Sequence, residues 1–140
     1  MSDTDLFKLY SQQILTLAAS IPHAQLLPSF DGQARERAPL CGSTVEVTLR
    51  RDHGRITAFG QKVQACALGQ ASASIFGAQV IGCGRDEIAR LCAELDAMLA
   101  GGPVPAAPFG GYDVLQAARA YPNRHASILL APRATLAALV

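Results

Sequence analysis

Apolar side chains recur at helical spacing from the start of the chain. Leu6, Leu9, Tyr10, Ile14 and Leu17 fall on one stripe with Gln13, which predicts an amphipathic helix over residues 4–19. Thr4 is placed to cap it, and Pro22 lies shortly beyond its end. Residues 20–40 hold Pro22, Pro28, Asp31, Gly32 and Pro39 and read as mostly irregular, with a short strand just before Cys41. The period then changes to two. Thr44, Glu46, Thr48 and Arg50 alternate with Val45, Val47 and Leu49, predicting a half-buried strand over 43–51. Arg51 to Gly54 is a turn, with Gly54 supplying positive φ, and residues 55–65 resume the strand through Ile56, Ala58, Gln61 and Val63. The two strands form a hairpin.

Helical patterns fill the rest. Gly69 opens an Ala- and Ser-rich run that predicts a closely packed helix continuing to about Ile81, where Gly82-Cys83-Gly84 breaks it. Ile88, Leu91, Cys92, Leu95, Met98 and Leu99 make one apolar stripe over residues 85–100, stopped by Gly101-Gly102-Pro103. A Gly- and Pro-rich loop spans 101–111, a short helix 112–120, and a final helix about 124–138. Pro132 lies inside that last helix and is expected to kink or break it near Leu130. Strands followed by helices indicate an α+β fold, a small antiparallel three-stranded sheet with helices packed on one face. At 140 residues the chain reads as a single domain, 1–140.

Charge narrows the function. Twelve basic against eleven acidic residues leave a formal charge of +1, without the footprint of a nucleic-acid binder. No stretch reaches the roughly 18–20 apolar residues of a membrane span, and the first residues lack a secretory signal pattern. A reducing, cytoplasmic setting follows as the expectation, in which cysteines serve as thiols, metal ligands or sulfur carriers in preference to disulfides.

The chain has four cysteines, Cys41, Cys66, Cys83 and Cys92, none in a CxxC pair. Cys41 stands just before the first hairpin strand and Cys66 just after the second, so the hairpin brings them to one end of the sheet. The start of a helix at Cys66 favours its thiolate through the helix dipole. At this level the pair reads equally as chemistry or as two small apolar residues. Cys92 falls on an apolar stripe and is expected in the core, while Cys83 sits in a loop between glycines with no assigned role. Ser72 and Ser74 read as small packing residues. A Cys/Cys/His set with His125 can bind zinc or iron, although the spacing matches no zinc-finger pattern. His53 lies in the hairpin turn and His23 in a loop, neither with an evident partner.

Pro39-Leu40-Cys41-Gly42-Ser43, the Cys66 to Ser74 run ending Ala-Ser-Ala-Ser, Leu9 to Ile14, and Tyr121-Pro122-Asn123-Arg124 together resemble the motifs of a known family. It is the U-type iron–sulfur cluster assembly scaffolds (IscU, SufU and the NifU N-terminal domain), with the similarity closest to the SufU branch. The resemblance implies a SufE/NifU-like fold and no enzymatic activity. It also implies binding of iron, zinc or a [2Fe–2S] cluster through Cys41 and Cys66, with a cysteine desulfurase and cluster acceptor proteins as partners. It places an Asp where this chain has Ser43, and a third cysteine where it has Ser127. A serine hydroxyl is a poor ligand for such metals beside a thiolate. The resemblance therefore leaves His125, a partner chain, or two more thiolates from a second copy in a homodimer to complete a site. Two alternatives stand beside it: a metal-free, partner-binding relative, and a thiol enzyme with Cys66 as nucleophile and His125 as base.

Overall fold

Three strands form an antiparallel meander: β1 (Gly32–Arg37), β2 (Thr44–Asp52) and β3 (Arg55–Gln64), with β2 in the centre. The computed structural model describes residues 11–140. Val45, Val47 and Leu49 of β2 are completely buried, as their alternation requires. Thr48, on the other face, is buried as well. Residues 25–27 run over it, and the Leu27 amide donates to the Thr48 hydroxyl at 2.9 Å. Gly60 pairs with Thr48 across the ladder, and a side chain there would run into the Gln25 carbonyl, so only glycine admits this crossing. The hairpin closes through His53 and Gly54, both left-handed at φ 51 and 76.

β1 occupies six residues of the stretch expected to be mostly irregular, and it ends at Arg37, earlier than the predicted strand beside Cys41. It is an edge strand of Gly, Gln, Ala, Arg and Glu, with exposed and half-buried positions alternating. Having no β-branched or large apolar residue, it shows almost no period in hydrophobicity.

The helices are α1 (Gln12–Ala18), α2 (Ala67–Gln79), α3 (Arg85–Leu99) and α4 (His125–Ala138). Ser11 Oγ accepts from the Ile14 amide at 3.3 Å and caps α1. The expected start at Thr4, with Leu6, Leu9 and Tyr10, lies outside the described residues. Gly110–Ala120 is a 3₁₀ segment where a short helix was expected. α4 packs against β1, β2, α2 and α3, and so joins the sheet to the helical layer.

Pro132 neither ends α4 nor breaks it near Leu130: the helix runs on to Ala138. A proline at this position cannot donate to the Ile128 carbonyl one turn earlier. The Ser72 hydroxyl of α2 donates to that carbonyl instead. Ser72 Oγ also lies 2.9 Å from the Tyr112 hydroxyl, which donates to the Ser72 carbonyl at 3.0 Å. The small residues of α2 permit this approach, and Ser72 is a bonding residue, beyond the packing role expected of it. Deeper in the core, Phe76 of α2 is fully buried, stacks on Phe109 at 5.8 Å and meets Phe59 edge-on at 5.9 Å.

The expectations for two cysteines are exchanged. Cys83 is 3% exposed, its thiol lies 3.3 Å from the Gln79 carbonyl, and its own carbonyl accepts from Ile56. Cys92, on the α3 stripe, is only half-buried. Among the described residues, no helix is long and apolar enough to cross a membrane.

Candidate functional site

The hairpin brings its two ends together. Cys41 lies in the loop from β1 to β2, four residues beyond Arg37, and Gly42 after it takes a left-handed φ of 71. Cys66 is the residue from which α2 begins. Ser43 opens toward the same spot, and Ser127 arrives from the first turn of α4. The four side chains form one hydrogen-bonded row. Cys41 Sγ lies 3.1 Å from Ser43 Oγ, Ser127 Oγ donates to Ser43 Oγ at 3.2 Å, and Cys66 Sγ lies 3.5 Å from Ser127 Oγ. Two thiols are thus linked by two hydroxyls. Ser43 and Ser127 are 4% and 1% exposed, whereas Cys41 is exposed and Cys66 half-buried.

Gly69 makes the junction possible. A Cβ at this position would collide with the Ser127 hydroxyl and come within 2.8 Å of the Ala65 Cβ. The first turn of α2 can close on Ser127 only with a bare backbone there.

Hydrogen bonding sets the acidity of these thiols. Desolvation of Cys41 opposes its ionisation, but the Ser43 hydroxyl and amide and the Ser127 hydroxyl outweigh it, so its pKa falls below the ordinary thiol value. For Cys66, desolvation is again outweighed, by the Gly69 amide, the Ser127 hydroxyl, the Leu68 amide and Arg124. The other two cysteines shift the opposite way. Burial, reinforced by Glu87, raises the Cys83 thiol, and burial raises Cys92 against the charge of Arg133.

Reactivity follows the thiolate. Cys41 is expected to be alkylated by iodoacetamide first at neutral pH, Cys66 next, and Cys83 and Cys92 slowest. A lowered pKa keeps thiolate as the pH drops below the ordinary thiol range, and the reactivity disappears only through the lowered value. The stability contribution has the same sign: it is full above the ordinary thiol pKa and lost as pH falls through the lowered one. Mass-spectrometric mapping across pH reads this order, and Cys83 labelling as fast as Cys41 would contradict it.

His125 stands apart from the row. Its Nε2 lies 2.8 Å from the Ala118 carbonyl, which can only accept, so that nitrogen carries the hydrogen and Nδ1 is left as the acceptor of the neutral ring. The side-chain hydrogen-bond partner of Cys66 among the described residues is Ser127. Among the described residues, no three His, Cys, Asp or Glu side chains are grouped to hold a metal ion. The donor chemistry of one chain is two thiolates and two neutral hydroxyls. It fits soft metal cargo at two positions and fails to close a tetrahedral set. Sequence reasoning placed Ser43 and Ser127 at ligand positions but did not foresee that they bond to each other, because they lie 84 residues apart.

No protein-family model and no curated protein matches the chain. Solved structures do. A NifU-like protein (N-terminal) from Brucella abortus is 36% identical, with 96% of this chain and 94% of that one covered and a TM-score of 0.92. A putative iron–sulfur cluster assembly scaffold protein for the SUF system, from the thermophile Fervidobacterium islandicum AW-1, shares the fold at a TM-score of 0.86 and 20% identity, covering 96% of this chain and 98% of its own. A hypothetical protein of solved structure, 25% identical, covers 95% of this chain and 98% of its own at a TM-score of 0.81. With the motifs in order along the chain and the NifU-like identity extending over nearly all of it, the chain belongs to the U-type, NifU-like N-terminal scaffold family.

Proposed function

We propose that this protein takes part in iron–sulfur cluster assembly as an open scaffold and sulfur acceptor, with Cys41 and Cys66 as its two donors to iron, zinc or [2Fe–2S] cargo. The observation that carries this reading is the convergence of Cys41, Ser43, Cys66 and Ser127 at one end of the sheet. An exposed thiol beside a half-buried one suits cargo that must be received and handed on. Two thiolates leave tetrahedral iron two ligands short, so cargo is held jointly with a second copy or with a partner. A cysteine desulfurase as sulfur source and acceptor proteins as destinations fit this role. It is a binding and transfer role, and a single-domain, cytoplasmic protein suits it.

Anaerobic reconstitution with iron and sulfide tests the proposal through absorption, metal analysis and mass in solution. The expected result is a chromophore held at one [2Fe–2S] per two chains. Cys41→Ser and Cys66→Ser are each expected to lower retained iron at least about tenfold, as loss of a thiolate donor requires. Cys92→Ser is expected to retain it. A folded protein that takes up neither iron nor colour would overturn the cargo-holding form. The two buried hydroxyls in the row favour one second reading, a metal-free relative that binds the desulfurase, which that outcome would support.

A further inference from the structure

The start of α4 meets α2 at two points, one helical turn apart on the same face of α2. Gly69 faces Ser127, and its missing side chain leaves room for the Ser127 hydroxyl. One turn on, the Ser72 hydroxyl donates to the carbonyl of Ile128, the residue after Ser127. Ser72, Ser127 and Ile128 are each at most 1% exposed. Among the described residues this is the one hydrogen bond between the body of α2 and α4. Pro132 makes it possible. A helical carbonyl is met by the amide four residues later, and Pro132 has none, so the Ile128 carbonyl is open to a partner outside its own helix. Tyr112 sets the direction of the bond. Its hydroxyl donates to the Ser72 carbonyl at 3.0 Å and lies 2.9 Å from Ser72 Oγ, which leaves the Ser72 hydrogen for Ile128. Cys66 stands at the head of the same helix, with its sulfur 3.5 Å from Ser127 Oγ.

We propose that Ser72 is a positioning residue of the thiol row: by bonding the Ile128 carbonyl that Pro132 leaves unpaired, it holds Ser127 against Cys66. Loss of its hydroxyl then has two separable effects. The Ile128 carbonyl is left buried without a partner, which lowers stability. The first turn of α4 is also released from α2, which loosens the spacing between Ser127 and Cys66. Pro132→Ala repairs only the first, because the amide it introduces meets the carbonyl from within α4 and makes no tie to α2. The value of this spacing for cargo rests on the proposed function, but the spacing itself does not.

The test is made in protein carrying Cys41→Ser and Ser127→Cys, where the introduced thiol stands beside Cys66. Equilibration with reduced and oxidised glutathione, read by intact mass and peptide mapping, gives the effective concentration of the two thiols for each other. Ser72→Ala is expected to lower it about tenfold, the loss of one hydrogen bond to a buried group. Adding Pro132→Ala should restore most of the lost Tm and leave the effective concentration low. Recovery of both together would overturn the proposal, since Ser72 would then serve only to satisfy a buried carbonyl. An effective concentration unchanged within about twofold in folded Ser72→Ala protein would overturn it too, as would failure of Cys66 to pair while Ser72 is present. If Ser72→Ala alone does not fold, the variant that also carries Pro132→Ala gives the same reading. No iron enters the measurement, so a protein that takes up no iron overturns the cluster role without touching this result.

Discussion

Ser43→Asp combined with Ser127→Cys is expected to raise zinc affinity by on the order of 10⁴-fold. A closed four-ligand zinc site is worth roughly 10–16 kcal/mol, or about 3 kcal/mol per ligand. Two restored ligands then contribute about 6 kcal/mol, and each 1.4 kcal/mol is about tenfold. The positions are suitable because Ser43, Ser127, Cys41 and Cys66 already contact one another within 3.1–3.5 Å. Each single substitution should give an intermediate gain. The metal-free double variant should melt lower than the parent, since the new carboxylate replaces a hydroxyl at a position 4% exposed, and zinc should reverse that loss. Competition against a chromophoric chelator measures the affinity. A gain below tenfold in a folded double variant would mean that these four positions do not form a ligand set.

The largest stability effect is expected at Phe76. Its side chain is fully buried and lies between Phe109, 5.8 Å away, and Phe59, 5.9 Å away. Phe76→Ala removes the ring from both contacts and leaves a cavity that the surrounding strands and helices cannot fill. Substitutions of this kind cost about 3–5 kcal/mol, which corresponds to a drop in Tm of about 10–20 °C for a domain of this size. Urea unfolding gives the free energy directly. The same variant, kept well below its Tm, should retain the alkylation order of the four cysteines, because Phe76 lies ten residues along α2 from Cys66 and packs on Phe59 and Phe109. A loss under about 1 kcal/mol would show that the aromatic cluster is not the core it resembles.

These two sites also show which parts of the chain could be read in advance. Val45, Val47 and Leu49 announce their burial by alternation, and the hairpin between Cys41 and Cys66 follows from that alternation alone. The cysteine pair could therefore be placed from local pattern. β1 could not, because Arg35 and Arg37 point to water and Ala34 is small, leaving no contrast between its faces. Pro132 misled for another reason. Its local rule is correct, but the carbonyl it leaves unpaired is met by Ser72, 56 residues away. Cys83 was hidden in the same way, since the flanking glycines suggested an open loop while Ile56 pairs with its backbone from β3. The hydroxyl contact between Ser43 and Ser127 is likewise long-range, and local pattern carries no signal for it. The fold class came from periodicity, whereas the chemistry of the site depends on contacts that only tertiary structure supplies.

The separation of Ser43 from Ser127 has a consequence for the newly made chain. Cys41 and Cys66 reach the same end of the sheet as soon as the β2–β3 hairpin forms, a local event on the microsecond scale. The hydroxyl between them arrives only when α4 has been synthesised and has docked across β1 and β2, a late and non-local step. Ser127 follows Cys66 by 61 residues. At a synthesis rate of roughly 5–20 residues per second, that stretch takes at least about three seconds to emerge. For that interval the thiol pair lacks the Ser127 hydroxyl, one of the groups that favour the two thiolates. The acidity of the finished site is therefore built in two stages, the local bonds of Ser43 to Cys41 and of the Gly69 and Leu68 amides to Cys66 first, and the Ser127 contribution only with the docking of α4.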